Sequence, residues 1–111
     1  MKEVIALIRP GKAKPTKLKL AEKGFFAYTE ERVSGRGKQK GLRYANGEAG
    51  IGFLPRRMLT LFVNDPEVGE VLAILAEANR TGEIGDGKIF VCPAENAIRI
   101  RTDEFHEAAL S

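Results

Sequence analysis

Four short apolar runs separated by two helix-patterned segments, in the order β-α-β-β-α-β, predict an α+β sandwich of the ferredoxin-like kind. Its sheet is antiparallel and both helices lie on one face. The runs fall near residues 4–8, 25–33, 57–63 and 89–92, and the helical segments near 12–23 and 65–79. The 111 residues fit one domain, 1–111, with a single modest core, and no repeat beyond the two βαβ halves is visible.

Val4-Ile5-Ala6-Leu7-Ile8 is apolar without a break, as a central strand is, and Pro10-Gly11 ends it. Residues 12–23 read as a helix that tolerates Pro15 only in its first turn. Ala13, Leu20 and Ala21 are expected inside, with Lys14, Lys17 and Lys23 in water, and Gly24 as the stop. Phe25 then opens a second strand that runs to Val33. From Gly35 the chain becomes basic and glycine-punctuated, and 36–52 reads as a long functional loop. A third strand covers 57–63. In Asn64-Asp65-Pro66-Glu67, Asp65 is the expected helix cap and Pro66 the first helical residue. Val68, Val71, Leu72, Leu75 and Asn79 mark one helix face, on which Asn79 is the single polar member. A fourth strand, 89–92, is broken by Pro93. Residues 97–101 resume an extended segment, and 102–111 form a polar, mobile tail. Apolar residues on both faces of the first and fourth strands predict a further subunit against the sheet.

Composition narrows the function classes. Hydrophobic residues make up 43% and charged residues 30%. No apolar run approaches the ~20 residues a bilayer span needs. Met1-Lys2-Glu3 carries an acid and lacks a cleavage pattern, so no signal peptide is expected. Cys92 is alone, which excludes an internal disulfide. The expected setting is cytoplasmic. A net charge of +3 with clustered Arg36, Lys38, Lys40 and Arg43 raises nucleic-acid binding as an alternative. Aromatics are not interleaved with these cations, as base-stacking platforms require, so nucleic acid is not the expected partner.

The chemistry centres on Thr81-Gly82-Glu83-Ile84-Gly85-Asp86-Gly87-Lys88. Three glycines let the backbone aim its N–H groups at one point, and Lys88 adds a fixed positive charge. Such a loop suits a string of phosphates. It spells G-x-x-x-x-G-K but is not a Walker loop. Residue 89 is Ile instead of Ser or Thr, and the loop enters a strand instead of opening a helix. A plain helix-to-strand turn with an exposed lysine is the competing reading. Ile98/Ile100 alternate with Arg99/Arg101, so an extended segment would set both arginines on one side as a cationic surface. The competing reading there is a pair of charges protecting a sheet edge. No catalytic set can be assembled. His106 is the one histidine and lies in the tail, Cys92 reads as packing, and Glu30-Glu31 alternate across a strand. Asp86 is expected to shape its turn. A nucleotide-using enzyme is therefore disfavoured.

These residues resemble the PII signal-transduction proteins of nitrogen metabolism over nearly the whole chain. Residues 81–88 with Ile89-Phe90 resemble that family's nucleotide-binding B-loop. Val33-x-Gly35-x-Gly37-x-Gln39-Lys40-Gly41 and Phe53-Leu54-Pro55 resemble the entrance and exit of its T-loop, and residues 97–102 its terminal strand. The resemblance implies a non-enzymatic sensor built as a homotrimer, with or without a second PII-like chain. It implies ATP or ADP in clefts between subunits. Gly85, Gly87 and Lys88 would hold phosphates, with Thr81, Asp86, Gly37 and Lys38 in the same site. Arg99 and Arg101 would reach in from a neighbouring subunit. Leu7, Thr29, Thr60, Leu61 and Phe62 would line the adenosine. Gln39 would ligand a Mg²⁺ shared by ATP and 2-oxoglutarate. Gln39, Lys40, Gly41, Gly85 and Arg56 would hold 2-oxoglutarate, Arg56 standing where the family usually has lysine. The T-loop is shorter here, and Tyr44 does not fall at the family's modified tyrosine, so uridylylation is not implied. Thr60 stands where an acid often contacts ribose. The basic loop entrance and the stretch from Leu54 to Met58 resemble the subgroup encoded beside nitrogenase genes, which implies nitrogenase as the client. An ammonium transporter, glutamine synthetase or another nitrogen enzyme is the alternative.

Overall fold

The structure is a computed structural model that describes residues 1–36 and 53–110. Its elements run β1 (Lys2–Ile8), α1 (Ala13–Glu22), β2 (Thr29–Gly35), β3 (Leu54–Val63), α2 (Val68–Asn79) and β4 (Lys88–Pro93). The strands form one antiparallel sheet in the order β2-β3-β1-β4. This is the expected βαββαβ arrangement, with β1 central.

Alternation along the strands decides what is buried. Val4, Ala6 and Ile8 of β1 and Leu59, Leu61 and Val63 of β3 share the helix-covered face. There they form one core with Ala13 and Leu20 of α1 and Val71, Ile74 and Leu75 of α2. The opposite face carries Ile5, Leu7, Thr60, Phe62 and Phe90, paired across strands as Ile5–Thr60, Ile5–Phe90 and Leu7–Lys88. Phe62 and Phe90 remain about half exposed, at 49% and 48%. The described chain leaves this apolar face uncovered.

Local chemistry explains several boundaries. Gly24 ends α1 as expected, at φ 86°. Its N–H donates to the Ala21 carbonyl at 3.0 Å, and the Phe25 N–H donates to the Leu20 carbonyl at 2.9 Å. This paired closure uses up Phe25, whose side chain packs on the core. The second strand therefore starts at Thr29 and not at Phe25. β3 starts earlier than expected, at Leu54. Pro55 is tolerated because residues 54–56 pair with β2 alone, β1 joining only at Arg57. A 3-10 turn, Asp65–Glu67, leads into α2, and its cap position is Asn64 and not Asp65. Glu67 accepts the Asn64 backbone N–H at 3.3 Å, while Asp65 holds the Met1 ammonium at 2.6 Å and Lys2 Nζ at 3.2 Å. Glu30 and Glu31 diverge as alternation requires. Glu30 on the helix side binds Lys17 at 2.9 Å and Arg57 at 3.0 Å. Lys17 is thus drawn into an ion-paired network and not simply left in water.

Asn79 joins the two helices. Its side-chain N–H groups donate to Thr16 Oγ1 at 3.0 Å and to the Leu75 carbonyl at 2.9 Å, while the Thr16 hydroxyl donates to the Lys12 carbonyl at 2.6 Å. Asn79 and Thr16 are both buried. The polar residue on the apolar face is therefore an interhelical lock made through its two N–H donors, while its Oδ1 is buried without a hydrogen-bond partner among the described residues. Asn79→Asp replaces the donating amide with a carboxylate that faces two acceptors. Stability is expected to fall by about 1–3 kcal/mol in denaturant unfolding.

Candidate functional site

Beyond Asn79 the chain leaves the helix through Arg80 and enters the glycine loop. Gly82, Gly85 and Gly87 all adopt positive φ, at 86°, 99° and 105°. Asp86 organises the turn. Its carboxylate accepts the Thr81 N–H at 2.8 Å, the Gly82 N–H at 3.0 Å and the Thr81 hydroxyl. The fourth partner is Arg9, which the sequence reading did not single out. Arg9 Nη1 lies 2.8 Å from Asp86 Oδ1, and Nη2 donates to the Ile84 carbonyl at 3.0 Å.

Strand register explains this convergence. Leu7 pairs with Lys88 and with Met58, so the rows continue toward Asp86 and Arg56 on either side of Arg9. Both guanidiniums arrive over Gly85. A Cβ built there would sit 3.2 Å from Arg9 Nη2 and 3.5 Å from Arg56 Nη2. Gly87 packs still closer, its ideal Cβ lying 2.0 Å from the Leu7 carbonyl oxygen. The only available signal for Arg9 was its place at the end of the central strand. Its partner is 77 residues away.

Hydrogen bonding by Thr81, then by the loop N–H groups and Arg9, holds the Asp86 carboxyl well below the usual carboxylate range. A depressed folded-state pKa stabilises above the unfolded value and is lost as pH falls toward the folded one. The stability gap between wild type and Asp86→Asn is therefore expected to be constant above pH about 5. It should narrow below pH about 4 in denaturant titrations.

Leu7, Gly85, Asp86, Gly87, Lys88 and Arg56 gather at one end of the sheet. Thr81 is held inside the loop by Asp86. Thr29 and Thr60 are cross-strand partners on the uncovered face, with Phe62 two residues further along. Leu61 points the other way, into the core at 1% exposure, so only its backbone reaches that face. Gly37, Lys38, Gln39, Lys40 and Gly41 lie outside the described residues.

The terminal segment departs from expectation. Residues 97–101 do not continue as a strand. The chain reverses after Arg99, with an Ile98–Phe105 bridge, and 106–110 form a short 3-10 turn. Ile100 stands 94% exposed at the reversal. Arg99 turns back to Glu104 at 3.0 Å and to the Ala109 carbonyl at 3.4 Å. Arg101 is exposed in the same turn. The alternation that was to set both arginines on one side is thereby broken.

Beneath the loop, between the sheet end and the last turn of α2, lies a cavity of about 220 Å³. Leu7, Ile8, Leu75, Ala76, Asn79, Arg80 and residues 86–89 line it. This is smaller than the ~300–1,000 Å³ typical of small-molecule sites.

Comparison with known proteins identifies the lineage. A family model described as nitrogen regulatory protein P-II matches residues 1–104. The chain is 43% identical to nitrogen fixation nifHD region glnB-like protein 2 of Methanococcus maripaludis, an alignment covering 99% of this chain and 100% of the relative. It is 42% identical to nifHD region GlnB-like protein 1 of Methanothermobacter marburgensis, over 94% and 97%. It is 41% identical to nitrogen regulatory protein P-II of Porphyra purpurea, over 99% and 100%. With a matching model along almost its whole length and full-length relatives above 40% identity, the chain belongs to the nitrogen regulatory protein P-II family.

Proposed function

We propose that this protein is a non-enzymatic cytoplasmic sensor that binds ATP or ADP, with Mg²⁺ and 2-oxoglutarate, and controls nitrogenase through residues 36–52. The observation that carries the reading is the end of the sheet where Arg9 and Arg56 converge over Gly85 beside Lys88. Cations gathered at one loop suit multiply charged anions, which need paired charge on burial. Gly85, Gly87 and Lys88 would contact phosphates. Arg56 would contact a carboxylate of 2-oxoglutarate, and Gln39 would ligand Mg²⁺.

The small single-chain cavity and the uncovered apolar sheet face support assembly. We infer a homotrimer, with or without a second P-II-like chain, whose neighbour supplies the missing walls and brings Arg99 and Arg101. Thr29, Thr60 and Phe62 would then meet adenosine in an intersubunit cleft. The names of the nifHD-region relatives favour nitrogenase as client. The comparable identity to the Porphyra purpurea protein, whose name specifies no client, supports a second reading. In it the sensor serves an ammonium transporter, glutamine synthetase or another nitrogen enzyme.

Calorimetry tests the ligands, and a pull-down tests the client. Heat is expected with MgATP, and heat from 2-oxoglutarate is expected only when MgATP is present. Flat thermograms together with a tight nucleic-acid gel shift would replace this reading by a nucleic-acid module. Capture of nitrogenase components that responds to 2-oxoglutarate is the expected pull-down result, and capture of another nitrogen enzyme would select the second reading.

A further inference from the structure

We propose that Glu104 is a built-in competitor for the nucleotide. It is a carboxylate held on Arg99 that a polyphosphate must displace, and so it sets affinity. The inference rests on the nucleotide reading above and adds to it a residue with its own role.

The tail is built to place this carboxylate. The Arg99 N–H donates to the Glu104 carbonyl at 2.9 Å. The Arg99 carbonyl accepts from Thr102 at 3.2 Å and Asp103 at 2.7 Å. Asp103 takes positive φ, at 60°, which permits the tight reversal. The Asn96 side-chain oxygen accepts the Ala97 N–H at 2.8 Å and the His106 N–H at 3.1 Å, closing the base. Glu104 is therefore fixed opposite Arg99 by the backbone. Its Oε1 accepts both Arg99 Nη1 at 3.0 Å and the Thr102 hydroxyl at 2.6 Å. The other arm of the guanidinium reaches the Ala109 carbonyl at 3.4 Å.

Two magnitudes make exchange feasible. The pair is at the surface, with side chains 27% and 42% exposed, and ion pairs this exposed are weak. A polyphosphate brings more charge and more acceptor oxygens to the same planar fork. It therefore wins Arg99 from Glu104, but only after removing a like charge from its path. When it does, Ala109 loses its arginine and the 106–110 turn loosens.

Glu104→Gln keeps an oxygen for Thr102 and Arg99 but removes the charge. MgATP is expected to bind this variant about two- to fivefold more tightly than wild type at low salt, with the gap closing at high salt. Independently of any variant, MgATP added to the wild-type protein should speed amide exchange in residues 106–110. Tighter binding with faster tail exchange supports the proposal. Binding by wild type with no gain in Glu104→Gln, or with unchanged tail exchange, overturns it and leaves the nucleotide reading intact. No MgATP binding by wild type overturns both.

Discussion

Gly87→Ala is expected to destabilise the protein by about 2–4 kcal/mol, the larger part from steric conflict with a neighbouring strand. Two effects add. The residue sits at φ 105°, which a side chain rarely adopts. Its ideal Cβ would also lie 2.0 Å from the Leu7 carbonyl oxygen. That oxygen belongs to the central strand and cannot rotate aside, so the loop itself must lift. Gly82→Ala is the internal control. It too has positive φ, at 86°, but a Cβ there meets nothing within 4 Å. Its expected loss is about 1 kcal/mol. Chemical denaturation of both variants measures the difference. Equal losses would show that backbone conformation alone accounts for Gly87, with no role for the contact to Leu7.

Lys88→Ala is expected to weaken MgATP binding about 10- to 100-fold, with little change in stability. Charge-assisted hydrogen bonds contribute ~1.5–3 kcal/mol, which corresponds to that range of affinity. The side chain is exposed at the first residue of β4, and it forms no ion pair among the described residues. Its removal leaves the fold's own bonds in place. Calorimetry on the variant, with its unfolding midpoint measured alongside, separates a lost ligand contact from a damaged fold. Unchanged affinity would remove Lys88 from the proposed phosphate site.

Local chemistry made much of this molecule legible. Gly24 stops α1 because only a residue free of Cβ strain closes that helix comfortably at φ 86°. The helical spacing of Val71, Leu75 and Asn79 does bury one face, and the glycine loop does turn at three positive-φ residues. Where two residues competed for one role, the sequence was less decisive. Asn64 takes the cap position of the 3-10 turn 65–67 that leads into the second helix, while Asp65 is drawn to the Met1 ammonium and to Lys2, more than sixty positions away. Phe25 is diverted from its strand by the helix closure before it.

From the linear chain alone came the order of strands and helices, the anion-suited loop and the family resemblance, since each depends on residues near one another in sequence. Tertiary structure alone supplied Arg9 as the staple of that loop, the approach of Arg56 to Gly85, the seating of Gly87 on Leu7 and the capture of Arg99 by Glu104. The first three follow from which strand residues stand opposite one another. That register is set by burial of the whole sheet and is written in no single short motif. The fourth follows from a chain reversal that the Ile/Arg alternation does not disclose.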